Sequence, residues 1–139
     1  MHSGAFALHP RLAADTVALG DLALSRVLLI NDAHYPWLLL VPRRDHIMEL
    51  IDLADAERAQ LMTEIATVAR ALKEATACDK LNIAALGNAV PQLHVHVIAR
   101  RTTDAAWPNP VWGAVPARAY ADGEREQLLN SIRNRLWNT

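Results

Sequence analysis

Apolar residues recur along this chain with two different periods, and the change of period outlines the fold. Thr16–Leu22, Ser25–Ile30, Trp37–Val41, Lys80–Leu86 and Gln92–Arg100 are short runs rich in β-branched or bulky apolar residues, bounded by turn formers. That is the pattern of β-strands. Gly20-Asp21 and the stretch Asn31–Pro36 supply turn chemistry between the early runs, and links this short favour antiparallel neighbours. In Asp55–Ala77 the period lengthens. Leu61, Ile65, Val68 and Leu72 recur at three- and four-residue spacing, which predicts one long helix with a single buried stripe. Glu57 falls in its first turn, where a carboxylate suits the helix dipole. A second helix is predicted near Gly123–Trp137, with Leu128, Leu129, Ile132 and Leu136 on its apolar side. Before it, "DAAWPNPVWGAVP" is too proline-rich for a regular element and reads as an extended arm. Strands, helix, strands, helix is the order of an α+β fold.

Composition narrows the function classes. The 139 residues suit one domain spanning 1–139, and 52% hydrophobic residues are enough to build its core. A formal charge of −1 gives no basic field, so extended nucleic-acid binding is not expected, while a small anionic ligand needs only a few local donors. Cys78 is the one cysteine, which excludes an intrachain disulfide and a thiolate metal cluster. The stretch "MHSGAFALHPRL" lacks the basic start and apolar core of a secretory leader. Runs such as "WLLLV" are too short to span a bilayer. A cytoplasmic protein without membrane contact is expected.

The candidate chemistry lies in "VPQLHVHVIARR", residues 90–101. On a strand, Gln92, His94, His96, Ile98 and Arg100 share one face, and Leu93, Val95, Val97 and Ala99 form the other. The second reads as the core face. Same-face neighbours lie roughly 6.6–6.8 Å apart at their Cα atoms, so both imidazoles reach one phosphate-sized group and should open into a shared cleft. A lone strand histidine is usually structural; two beside a glutamine, directly after "GNAVP", favour a site. His-x-His is also a common metal-ligand pair. A metal then needs a third ligand, and the nearest downstream carboxylate, Asp104, lies beyond the strand end. His34 and His46 lie elsewhere, and nothing in their spacing requires them to converge. No metal is assigned.

The segment "GNAVPQLHVHVIARR" resembles the signature region of the histidine triad (HIT) family, in which three histidines alternate with apolar residues after a Gly-polar-small-Val turn. Gly87, Asn88, Ala89 and Val90 match the turn, Gln92 the first histidine, His94 the middle one and His96 the last. The order of elements from about residue 5 to 105, including "LLLVPRR", is similar too, and the arm and last helix follow over 106–139. The resemblance implies a HIT-like five-stranded antiparallel sheet with one long helix and a C-terminal helix, paired into a ten-stranded sheet across a homodimer. It also implies a nucleotide phosphohydrolase or nucleotidyl transferase. The substrate would be a dinucleoside polyphosphate, nucleoside phosphoramidate or related nucleotide conjugate, with no obligatory metal or other cofactor.

In that mechanism His94 attacks the α-phosphorus to give a nucleotidyl-imidazole, which water cleaves. Its attacking nitrogen must be unprotonated, so the other should donate to a fixed acceptor, commonly a backbone carbonyl. His96 would hold phosphoryl oxygens or assist the leaving group, and Gln92 would support the nucleophile. Gly87, Asn88 and Val90 would bind phosphate, and Asn31 and Asp32 the ribose hydroxyls. Asn31, Asp32 and Asn88 are equally good turn residues. Two departures stand out. Gln92 loses a titratable group but keeps a donor and an acceptor, and Ala89 stands where relatives often carry a hydroxyl near the leaving group. Gln92 also suits a rival of another class, a nucleotide-binding module that has lost efficient turnover. Arg43 and Arg44 read as a solvated strand end before a helix. Trp107 and Trp112 read as packing the arm onto the sheet.

Overall fold

The five apolar runs pair into one antiparallel sheet in the computed structural model, which describes residues 6–137. The start of the stretch read above for a leader, residues 1–5, lies outside the described residues. The strands are β1 (Thr16–Asp21), β2 (Ser25–Ile30), β3 (Trp37–Pro42), β4 (Lys80–Ala84) and β5 (Val95–Arg100), in the order β1-β2-β3-β5-β4. Register pairs Leu39 with His96 on one side of β5 and Ala84 with His96 on the other. The histidine strand is therefore internal, and β4 is an edge.

The long helix α2 (Asp55–Thr76) buries the stripe read from its sequence, Leu61, Ile65, Val68 and Leu72, against Val27, Leu29, Leu38, Leu40, Val95 and Val97. Its first turn is closed by the Ala54 N–H donating to the Glu57 carboxylate at 2.9 Å. Ala77 ends it in the left-handed conformation, φ 51°. One polar residue interrupts the stripe. Glu64, buried, accepts from the amides of Leu24 at 2.8 Å and Ser25 at 2.9 Å. It thereby satisfies two turn donors whose burial without partners costs about 1–3 kcal/mol each, and it fastens α2 to the β1–β2 turn. The C-terminal helix α3 (Glu124–Trp137) lies against α2 and β1 and buries Leu129 and Ile132. Its Trp137 covers Gly20, where a Cβ would stand 3.0 Å from the indole.

The opposite face of the sheet is covered as well, which corrects the expectation of a single covered face. Leu28, Tyr35, Trp37, Leu39, Val41 and Ile98 pack against Leu12, Ala106 and Val111, with Phe6, Leu8 and Trp112 around them. Leu12 belongs to α1 (Pro10–Asp15), a short helix absent from the sequence reading. Pro10 stands at its first position and the His9 ring accepts from the Arg11 amide at 3.1 Å; both are ordinary helix-start signals. Consequently every residue of β5 is buried.

Arg100 shows how this is tolerated. Its guanidinium makes a two-pronged pair with Asp104 at 2.8 and 3.0 Å, donates to Asn82 at 2.8 Å, and lies between the Tyr35 and Trp107 rings. Asp104 also accepts from the amides of Arg101, Ala106 and Trp107, which folds the start of the arm. Burial pushes the Asp104 carboxyl up, but Arg100 and these amides outweigh it and hold it below the ordinary carboxylate range. Asp104 is thus committed to Arg100. No helix among the described residues is long and apolar enough to cross a membrane.

Candidate functional site

The histidine strand and the strand before it are shorter than their sequence runs: β4 stops at Ala84 instead of Leu86, and β5 starts at Val95 instead of Gln92. The ladder ends there because the backbone of 85–94 has other partners. Val90 N–H closes a turn onto Gly87 O at 3.2 Å, and Leu93 N–H donates to Ile47 O at 2.9 Å. This loop brings Gly87, Asn88, Val90, Gln92 and His94 to one cleft of about 610 Å³, walled on its far side by Met48, Glu49, Leu50 and Ile51. Among the described residues lining it, no lysine or arginine appears and Glu49 carries the one full charge. An anion here would be held by neutral donors, and the amide of Asn88 has no intramolecular partner among the described residues.

His94 sits with its Nδ1 2.7 Å from the carbonyl oxygen of Gln92. A carbonyl only accepts, so Nδ1 carries the proton and Nε2 holds a lone pair. The Cε1–Nε2 edge of the ring lies against Gly87. A Cβ at that position would stand 2.1 Å from Cε1 and 2.5 Å from Nε2, so only glycine admits the imidazole.

His96 faces another way. Its ring centre is 5.1 Å from that of His94, yet it does not line the cleft. Trp37 Nε1, which can only donate, points at His96 Nδ1 at 2.9 Å, and His96 Nε2 donates to Leu86 O at 2.6 Å. Trp112 packs edge-on at 5.0 Å. Both nitrogens are therefore occupied by the protein, in the tautomer opposite to that of His94. Burial, opposed by the Leu86 bond and aided by the charge of His94, lowers its pKa to about 4. The shared cleft expected of the pair is thus the cleft of His94 alone. His96 acts one step back, holding Leu86 and so the start of the glycine turn.

The remaining expected residues go elsewhere. Asn31 accepts from Arg125 at 3.2 Å and lines a separate cleft at the start of α3. Asp32 is buried, accepting from the amides of His34 and Arg118 and from the His34 ring. Register pairs Leu29 with Leu38 and Leu38 with Val97, so β2 ends toward Ile98, away from His94. Arg43 donates to Leu22 O and Ala23 O, and Arg44 to Glu57; neither lines the cleft. No three His, Cys, Asp or Glu side chains among the described residues are grouped as a metal ion requires. Sequence reading missed Trp37, the Ile47 carbonyl and the 48–51 wall. Trp37 gave one usable signal, since a buried indole N–H needs an acceptor.

His96 generates a pH prediction. Its folded pKa lies below the unfolded value, so between the two the unfolded chain takes up a proton that the native state refuses. The associated stability is complete above pH 6.5 and declines as pH falls toward 4. From pH 6.5 to 5 this one group should cost about 1.5 kcal/mol. Urea unfolding of the wild type and of His96→Gln over that interval should differ by about this amount, with the variant less pH-sensitive. Parallel pH curves would contradict the burial assigned to His96.

Comparison with known proteins accords with this geometry. The HIT domain family model matches residues 11–103. A histidine triad protein of Bradyrhizobium japonicum has 60% identity and a TM-score of 0.95, covering 96% of this chain and 100% of its own. A histidine triad protein of Sinorhizobium meliloti follows at 45% identity and TM-score 0.91, covering 94% and 97%. One from Marinobacter aquaeolei stands at 42% and 0.93, covering 97% and 98%. No curated protein matches the chain at a significant level. On the domain match and these near-complete superpositions, the chain belongs to the histidine triad (HIT) family.

Proposed function

We propose that this protein is a nucleotide phosphohydrolase or nucleotidyl transferase that works through a nucleotidyl-histidine on His94. Membership of the HIT family supports a nucleotide-binding hydrolase or transferase at the coarser level. The finer reading rests on one observation: Gln92 O fixes the proton on His94 Nδ1, leaving Nε2 as the lone-pair nitrogen beside Gly87 in the open cleft. In the first step Nε2 bonds to the α-phosphorus while the P–O or P–N bond to the leaving group breaks, its electron pair departing with that group. Water then attacks phosphorus, the P–N bond to His94 breaks, and the nucleoside monophosphate leaves. The Asn88 amide, without a partner among the described residues, is the donor suited to the phosphoryl oxygens. The substrate is a dinucleoside polyphosphate, nucleoside phosphoramidate or similar conjugate. A cytoplasmic setting is part of the reading, in keeping with the buried free thiol of Cys78.

The same reading includes a homodimer. Among the described residues β4 pairs only with β5 and leaves its other edge open. Ile83 of β4 and Leu86 just after it are exposed, as is Met62 of α2. An open apolar edge favours pairing with another copy.

His94→Asn should fold, bind nucleotide, and lose turnover on the order of 10³-fold or more, because no second nucleophile replaces it. With a panel of purine nucleotide conjugates, mass spectrometry of the quenched wild type should find the nucleotidyl group on His94. A variant that keeps most of the rate sinks the mechanism. Light scattering at micromolar concentration should give twice the 15.3 kDa chain mass; a strictly monomeric mass contradicts the pairing.

A further inference from the structure

Gln92 occupies the position where the family pattern carries a histidine, and its side chain turns away from His94. Its Oε1 accepts from the His9 amide at 2.8 Å and its Nε2 donates to the Ala7 carbonyl at 2.9 Å. A carboxamide presents donor and acceptor side by side, so it meets a backbone O and the N–H two residues on, as a neighbouring strand would. An imidazole has its nitrogens on opposite edges and cannot meet both. The segment so clasped is not a loose tail: Phe6 and Leu8 pack on the second core cluster, and α1 follows at once. Meanwhile the main chain of the same Gln92 supplies the carbonyl that takes the His94 Nδ1 proton, and the next amide, Leu93, is tied to Ile47.

From this continuity we infer that residues 7–9 form a positioning strap for the nucleophile. The strap holds the Gln92 side chain, Gln92 holds its own carbonyl in place, and the carbonyl aims Nε2 of His94. The inference rests on the nucleotidyl-histidine reading above and explains why glutamine stands at this position. Gln92 is then a positioning residue, acting through its carbonyl and not on the substrate. Misdirecting a nucleophile lowers the rate of the chemical step more than the binding of substrate.

Two variants cut the clasp from opposite sides. Gln92→Met keeps the volume and removes both hydrogen bonds. His9→Pro removes only the strap's N–H from the clasp, and the native φ of −54° and ψ of 134° at His9 already suit proline. His9→Ala, which keeps the N–H but loses the ring that caps α1, is the comparator. Gln92→Met should lower kcat about tenfold with KM within a factor of two, and His9→Pro should fall about fivefold below His9→Ala. The double variant Gln92→Met/His9→Pro should be no slower than the slower single one, because both break the same link. Nitrogen-15 spectra of the His94 ring should change from one tautomer to a mixture in the Gln92→Met and His9→Pro proteins. This second readout needs no substrate, so it stands even if His94→Asn shows the nucleotidyl-histidine mechanism to be wrong. Wild-type kcat in Gln92→Met, equal rates for His9→Pro and His9→Ala, or an unchanged His94 tautomer in either clasp variant would overturn the strap.

Discussion

A buried imidazole must give its one N–H to an acceptor, and most of this site follows from how that demand is met at two adjacent histidines. His94 gives its Nδ1 proton to the carbonyl of Gln92, two residues back. His96 gives its Nε2 proton to Leu86 and receives the Trp37 indole on the other nitrogen. The two rings, 5.1 Å apart, are therefore held in opposite tautomers by partners that can play only one role each. The first arrangement frees a nitrogen toward the cleft, and the second frees none. That asymmetry separates an imidazole with a free lone pair from one with none, without any difference in residue type.

The glycine turn depends on the same arrangement. Leu86, held by His96, leads directly into Gly87, and Gly87 must lack a side chain because the His94 ring occupies that volume. Turn, His94 and His96 thus form a closed set in which each fixes the next. Charge plays little part in it. Among the described residues Glu49 carries the one full charge on the cleft wall, so the donors the turn offers there are neutral ones.

Local sequence carried the elements well and their covering poorly. The strand runs, the α2 stripe and the α3 face all lie within a few residues of their expected bounds, because a single period decides each. His94, Gly87, Asn88, Val90 and Gln92 were legible for a related reason: they are neighbours in the chain and stay neighbours in the cleft. What failed were the inferences about what covers the polar strand face and what partners its side chains, although Trp112 of the arm does pack on the sheet as its residue type suggested. The polar face read for β5 is closed over Ile98 and Arg100 by α1 and the arm. The partner of His96 lies 59 residues away, and the clasp on Gln92 lies 83 and 85 residues away. Asn31 and Asp32 have the residue types for a diol contact, but Arg125 of α3 and Arg118 of the arm engage them instead. A period of two says which side chains share a face; it does not say what will lie on that face.

The two neighbouring rings carry their protons on opposite nitrogens, and nitrogen-15 spectroscopy of the imidazoles reads this directly. At pH 8, in the unmodified protein, His94 should show a protonated Nδ1 with a bare Nε2, and His96 a bare Nδ1 with a protonated Nε2. The same tautomer at both residues, or exchange between tautomers at His94, would contradict it.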